Sequence, residues 1–354
     1  MDLSSKSRNL KILFLNLQSN KHSRTRNYYN GLSKQGYSVS WLDLDSSTSL
    51  FEKRNEIRAF HSKDFVTVIA SPSHVLVVYF FIAFLRRPVL DAGWMLSDGV
   101  IASRKEFGFL GAKFLKFYFL DFMVLHLSSK VFLESKAQVS RIRRKYLMGR
   151  GRLHVLYTGV DENRFQDSTF SKQVSTEAKE DKSIVLFRGG AQTEAGLEVL
   201  EMCAKNEQLN KHVLFKVVSQ GYSVDSRTNQ IEVENRYLSD VELARNFIES
   251  SLVLGQLSNH KRLRFTIPHK FFEAAFFGRP YLTSNYGLVG TFGLCGLVYT
   301  FEGGSHQDLA DRILQILEDV ESAELMGQKL KEWYETNASQ FILADKFASI
   351  LSGD

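Results

Sequence analysis

The sequence predicts an α/β protein made of two successive halves, each with a parallel sheet. Short apolar runs alternate with helical stretches from Lys11 to the end of the chain, as strands and crossover helices do in parallel sheets. The 354 residues exceed the roughly 250–300 that one hydrophobic core supports. A polar segment, Arg164–Ser183, then interrupts the alternation, and the same rhythm restarts after it.

Lys11–Leu17 reads as the first strand, apolar after Lys11 except for Asn16. A polar loop, Gln18–Ser23, leads to a helix over about Arg24–Lys34 that closes at Gly36. Tyr37–Leu44 and Phe65–Ile69 read as strands, His74–Leu85 as a helix, and Val89–Asp91 as a short strand ending in a carboxylate. Val131–Leu133 and Leu153–Tyr157 are strands flanking a basic helix, Lys136–Tyr146. In the second half Ile184–Phe187 is a strand, Gly189-Gly190 a turn, Glu194–Asn206 a helix and Val213–Ser219 a strand. Ser239-Asp-Val-Glu242 has the form of a capping box and opens a helix to about Ser250. Leu252–Leu257 and Leu297–Phe301 are strands, and helices from about His306 to Leu351 finish the chain. Two such halves imply two Rossmann-like domains facing a cleft, with ligands at the carboxyl ends of the strands.

Composition narrows the function classes. The chain is 44% hydrophobic and 24% charged, ordinary values for a globular protein. A net charge of +6 suits anionic substrates or an anionic lipid surface. No arginine-rich tail, zinc-finger spacing or RNA-binding signature argues for nucleic acid. Cys203 and Cys295 stand far apart, so no disulfide framework is expected and a reducing, cytoplasmic setting is the simpler reading. The polar start does not resemble a signal peptide. The longest apolar run, Val75–Leu85, falls short of the roughly 18 residues a spanning helix needs. No Asp or His cluster has metal-ligand spacing, and no metal or cofactor is expected.

The stretch Thr266–Ser284 is the most informative. Pro268 suits a first helical turn, Gly278 the left-handed position past the last turn, and Pro280 blocks continuation. Tyr281-Leu282-Thr283 then has β-forming character. Lys270 and Glu273, three apart, share one helix face. A cation and a carboxylate near a helix start, beside a sheet, match the needs of a nucleotide's phosphate and ribose hydroxyls. The plainer alternative is a surface ion pair.

This segment resembles the P-x-K-x-x-E-x-x-x-x-G-[RK]-P stretch of GT-B glycosyltransferases of the retaining "group 1" family. Three further segments are similar to that family in the expected order: Leu156–Phe165, Val185–Glu198 and Leu238–Arg245. The likeness runs from about Leu153 to the C-terminus, and the first half supports it by topology alone. It implies a first domain, 1–163, for the acceptor, a linker, 164–183, and a nucleotide-sugar domain, 184–335. A C-terminal helix, 336–354, would return to the first domain. It also implies that Glu273 contacts the donor ribose. The chain departs from the pattern at three positions. Gly190 and Ala195 stand where the family often has a diphosphate-clamping arginine and lysine, and Phe265 stands where it has a first glutamate. Substitute phosphate contacts are available in Lys270, Arg188 and Arg264 of the His260–Arg264 cluster. Backbone amides at Gly189–Gly190 and Asn285–Gly287 offer anion-binding nests.

In the first half, Asp91 is a candidate acceptor-hydroxyl ligand or base, with a helix cap as the alternative. His22, with Lys21, lies in the loop after the first strand. Phe107–Leu127 carries seven Phe or Tyr residues with lysines between them. It reads as a core-facing helix or as a peripheral membrane surface, to which the basic helix Arg141–Lys145 would add charge.

The resemblance implies a glycosyltransferase that moves a sugar from a nucleotide-sugar to a surface-glycan or lipid-linked acceptor with retention, working in the cytoplasm at the inner face of the membrane. The nucleotide-sugar is a substrate, so no cofactor is implied. The rivals are a non-catalytic GT-B module binding glycan or a partner enzyme, and a sugar-nucleotide epimerase of the same fold.

Overall fold

A computed structural model describes residues 10–17, 23–45, 47, 49–60, 65–98, 112–165, 182–224, 230–286 and 293–353. The chain divides into two units, Met1–Asp161 with Ala338–Asp354, and Glu162–Asn337. Each is built on a six-stranded parallel sheet.

The first unit has strands β1 (Lys11–Asn16), β2 (Ser38–Asp43), β3 (Phe65–Ile69), β4 (Val89–Gly93), β5 (Val131–Leu133) and β6 (Leu153–Val155). Their order is β2-β1-β3-β4-β5-β6, every pair parallel. The helices are α1 (Ser23–Lys34), α2 (Leu50–Phe60), α3 (Val75–Phe84), α4 (Ala112–Leu127) and α5 (Lys136–Lys145). β1 is buried along almost its whole length because helices cover both faces of the sheet. On one face Leu13 and Leu15 pack with Phe80, Val124, Leu125 and Ile142. On the other, Ile12 and Phe14 pack with Tyr28, Leu32 and Phe347.

Phe347 belongs to the last helix, numbered α12 below (Gln340–Ser352), which packs on α1. The return of the C-terminal helix to the first unit is therefore observed. Gly31 permits it, since a Cβ there would lie 2.7 Å from the Gln340 carbonyl oxygen. Asn27 Oδ1 accepts a buried hydrogen bond of 3.0 Å from Gln340 Nε2 across the same contact.

The second unit repeats the plan. Its strands are β7 (Ser183–Arg188), β8 (Val213–Val218), β9 (Ile231–Glu234), β10 (Leu252–Leu254), β11 (Tyr281–Ser284) and β12 (Tyr299–Phe301). The order β12-β11-β10-β7-β8-β9 is again wholly parallel. The helices are α6 (Leu197–Cys203), α7 (Glu207–His212), α8 (Asp240–Glu249), α9 (His269–Phe276), α10 (His306–Glu318) and α11 (Val320–Asn337). The capping box expected at Ser239 is complete, with both reciprocal bonds to Glu242. The punctuation of α9 is also as expected: Pro268 caps its start, and Gly278, just past its end, has φ +65°.

Four regions differ from the sequence reading. α2 was not expected, because its sequence is mostly charged and its identifiable core residue is Ile57. Ser49 and Glu52 form a capping box at its start, a signal present in the sequence. β9 is a short, half-buried edge strand with no apolar run. The helix expected over Glu194–Asn206 starts only at Leu197. The carbonyls of Glu194 and Ala195 are taken by Ser258 and Leu257, so they cannot join a helix. Within Phe107–Leu127 the core-facing reading holds in part: Val124 and Leu125 are core, while Leu115, Phe119 and Phe122 are exposed. Residues 107–111 of that region, and residues 166–181 of the expected linker, lie outside the described residues.

Candidate functional site

The candidate site lies at the carboxyl edge of the second sheet, where ligands bind in open α/β sheets. β7 ends there in Phe187 and Arg188, β10 runs on into Gly255 and Gln256, and α9 starts with His269 and Lys270. The Lys270 side chain is buried, and its Nζ lies 3.5 Å from the centroid of the Phe187 ring. It donates to Gly255 O and Gln256 Oε1, both at 3.4 Å. These are long for an ammonium, whose charge-assisted bonds are normally about 2.7–2.9 Å. The amine approaches the β7 backbone because residue 189 is glycine. A Cβ there would meet Lys270 Cε at 3.1 Å and Nζ at 3.2 Å, and φ is +150°. Burial, and then the neighbouring Arg188 charge, push the Lys270 ammonium well below the usual lysine range, with Glu273 pulling the other way.

Glu273, one turn further along α9, is fully buried. Its carboxylate lies 3.2 Å from Arg188 Nη1 and 3.2 Å from His269 Nδ1. Burial opposes its ionisation. The charges of Arg188, then His269, then Arg164 outweigh that penalty and hold the carboxyl at about 2. The Arg188 contact is not aligned as a hydrogen bond and the His269 contact is only marginally so, so both oxygens keep acceptor capacity. A buried carboxylate held by charge but short of donors is suited to hydroxyl groups.

The structure thus brings together Arg188, Gly189, Lys270 and Glu273 from the sequence reading. Lys270 and Glu273 share a face, but the cations in contact with Glu273 are Arg188 and His269. The other candidates are placed differently. The Gly189 amide donates to Val218 O at 3.0 Å and the Asn285 amide to Phe301 O at 2.8 Å, so these two are committed to the sheet and not to an anion nest. Gly190 is exposed in the turn beyond β7. Arg264 is exposed and stacks 4.5 Å over the Tyr286 ring, donating to its hydroxyl at 3.0 Å. Gly287 and His22 lie outside the described residues.

Asp91 needs a correction. Expected as an acceptor ligand or base, it is fully buried and closed on its own unit. Oδ1 accepts from Arg24 Nε at 2.8 Å and Oδ2 from Thr25 Oγ1 at 2.9 Å. Arg24 in turn donates to Thr158 Oγ1 at 3.1 Å. A carboxylate with both oxygens so bonded is an anchor for the start of α1, not an available base.

Sequence reasoning missed His269, Phe187 and Gln256. Of these His269 had a signal, its i,i+4 spacing to Glu273. Arg262, within the His260–Arg264 cluster, pairs with the buried Glu194 and ties the loop after β10 to the turn after β7.

No protein-family model matches the chain, and no curated protein matches it in sequence. Solved structures do match in fold. A sucrose-phosphate synthase from Thermosynechococcus elongatus is similar with TM-score 0.69 at 13% identity, over 97% of this chain and 98% of that one. HepE from Anabaena, solved in complex with UDP-glucose, gives TM-score 0.66 at 15% identity, over 98% of this chain and 100% of HepE. WaaG, a glycosyltransferase involved in lipopolysaccharide biosynthesis, gives TM-score 0.63 at 12% identity, over 97% of this chain and 100% of WaaG. The architecture of this chain is that of the GT-B glycosyltransferases.

Proposed function

We propose that this protein is a glycosyltransferase that takes a sugar from a nucleotide-sugar donor and passes it to a surface-glycan or lipid-linked acceptor with retention of configuration. The observation that carries the reading is the pairing of Lys270 and Glu273 at one sheet edge. One is a buried ammonium with only long contacts; the other is a buried carboxylate with unfilled acceptor capacity. A nucleoside diphosphate offers what each lacks. Its phosphate oxygens would sit at Lys270 and the start of α9, where the helix dipole is positive. Its ribose hydroxyls would donate to Glu273 once the partly exposed Arg188 guanidinium turns from the carboxylate toward the diphosphate. As the sugar–phosphate bond breaks, negative charge grows on the departing phosphate, and these cations stabilise it. Residues 1–163 would hold the acceptor and residues 184–335 the donor. The structural likeness to HepE, solved with UDP-glucose, supports a nucleotide-sugar as donor.

The test is thermal melting with UDP, GDP, ADP and CMP, followed by product analysis with the matching sugar nucleotide. A ligand at about a hundred times its Kd stabilises the native state by about 2.7 kcal/mol. One nucleotide is expected to raise the melting temperature, and Glu273→Ala to abolish that rise. If no nucleotide does so, or Glu273→Ala keeps the rise, the donor site is misassigned. Binding without transfer would favour a non-catalytic module, and an epimerised sugar nucleotide would favour an epimerase.

A further inference from the structure

Glu194 is a second buried carboxylate in the second unit. It lies in the turn after β7 and is 6% exposed. Arg262 Nη1 donates to its Oε1 at 2.5 Å, and Arg262 is its ion-pair partner among the described residues. Its Oε2 is buried and accepts no hydrogen bond. Buried polar atoms are normally paired, and an unpaired oxygen on a charged group is the costlier exception.

The backbone around Glu194 is tied to the segment that continues β10. Ser258 Oγ donates to Glu194 O at 2.9 Å, and the Leu257 amide to Ala195 O at 2.9 Å. Gly196 allows the close approach, since a Cβ there would lie 2.5 Å from Ser258 N at a φ of +71°. Leu257 and Ser258 directly follow Gly255 and Gln256, the two acceptors of the Lys270 ammonium. The turn after β7 therefore packs on Lys270 through Gly189 and then carries Glu194 onto the residues just past Gln256.

Glu194 and Glu273 share a pattern. Each is buried and faces an arginine from another segment, Arg262 or Arg188, whose side chain is 19% or 29% exposed. Each keeps carboxylate oxygen without a donor. Glu273 meets the end of β7 through Arg188, Glu194 meets the continuation of β10, and Lys270 contacts both strands' ends. A nucleotide-sugar carries a hydroxyl-bearing ring on each side of its diphosphate. With the diphosphate at Lys270 and the ribose at Glu273, the transferred sugar extends away from Glu273.

We infer that Glu194 selects the donor sugar, its Oε2 accepting a hydroxyl of a neutral hexose. This assignment rests on the donor site proposed above. A sugar without that hydroxyl would leave the buried oxygen unpaired, and one with a carboxylate in its place would be repelled.

The test is binding of UDP, GDP and ADP, each free and as its glucose, galactose and mannose conjugates. The quantity read is the affinity of a conjugate divided by that of its free diphosphate. Glu194→Gln keeps the size of the side chain and a bond from Arg262. It should lower that ratio roughly tenfold for the tightest conjugate, while the free diphosphate binds within about twofold of the parent chain. In the parent chain, removal of one particular hydroxyl from the sugar should cost roughly tenfold, and in Glu194→Gln that loss should shrink. The deoxy series on the parent chain decides the matter even where the variant does not fold. A loss under about twofold at every deoxy position would overturn the assignment. An unchanged ratio would do the same and leave the donor site standing. Equal weakening of free diphosphate and conjugate would overturn it too, making Glu194 only a tie between two loops. If none of the three diphosphates binds, the donor site itself falls, and the role of Glu194 with it.

Discussion

Asp91 of the first unit and Glu273 of the second are both buried carboxylates among cations near the carboxyl edge of a parallel sheet, yet the two are satisfied differently. Asp91 in the first unit has a short hydrogen bond to each oxygen, and its partner Arg24 is buried with it. Glu273 in the second unit is held by charge at 3.2 Å on two sides, by groups that are themselves partly exposed. Beside it Lys270 is buried with contacts of 3.4 Å only. In the first cluster both carboxylate oxygens are bonded and Arg24 Nη2 is left without a partner, whereas in the second both Glu273 oxygens and the Lys270 ammonium are under-used. Position at a strand end is shared by both, so position alone does not mark a site. Residual hydrogen-bonding capacity does.

Mutation of the first cluster gives the sharpest contrast. Asp91→Ala leaves the buried Arg24 guanidinium unpaired, and removing one partner of a buried ion pair costs about 3–5 kcal/mol. Denaturant unfolding should show a loss of that order with the nucleotide-induced rise in melting temperature intact. A stable Asp91→Ala protein that loses nucleotide response would invert the assignment of the two clusters.

The second effect concerns acid. The Glu273 carboxyl is held at about 2, below its ordinary 4.5, so the folded state favours the ionised form. That contribution is fully present above pH 4.5 and is lost as pH falls from 4.5 toward 2, for a total of up to about 3 kcal/mol. Glu273→Gln should flatten the stability–pH curve in that window relative to the parent chain. Identical slopes would show that the carboxylate gains nothing from Arg188 and His269.

Lys270 should behave in the opposite way to Asp91. Lys270→Met removes a poorly satisfied buried ammonium, so unfolding free energy should hold or rise slightly. Nucleotide affinity should fall roughly 10- to 150-fold, the worth of about 1.5–3 kcal/mol for a hydrogen bond to a charged group. Because burial and Arg188 depress this ammonium, an incoming phosphate should raise its pKa. Calorimetry across pH in buffers of different ionisation heat reads the sign: binding-linked proton exchange at Lys270 should be uptake, and absent in Lys270→Met.

Gly189→Ala is the smallest perturbation. Its methyl would press on Lys270 Cε at a positive φ, at a cost of about 1 kcal/mol in stability. Nucleotide affinity should weaken severalfold as the amine shifts. Unchanged melting and affinity would show that Lys270 does not need its present position.

Much of this architecture is legible from apolar runs. β1, β3, β4 and β7 are buried on both faces, so their sequences are continuous and plain. α9 is legible from Pro268 and Gly278, whose backbone preferences act locally. α2 and β9 escape notice because neither buries an apolar run. In α2 a capping box marks the start and Ile57 supplies the core contact, and in β9 pairing to β8 does the work of hydrophobicity. The site is less legible. Lys270 and Glu273 stand out by spacing, but their partners do not. Arg188 reaches Glu273 across 85 positions of chain, and Phe187 and Gln256 meet Lys270 only because β7 and β10 are neighbours in the sheet. Nothing in Leu-Asp-Ala-Gly reveals that Asp91 is already bonded to Arg24 and Thr25.

By itself, then, the sequence determined the succession of strands and helices, the division into two parallel-sheet units, and the helix that carries Lys270 and Glu273. These depend on local periodicity and on the fixed backbone habits of proline and glycine. Tertiary structure alone decided which buried charges are satisfied and which are not. Satisfaction is set by distances and angles between residues far apart in the chain: 2.8 Å in the Asp91–Arg24 pair against 3.4 Å for the under-satisfied Lys270.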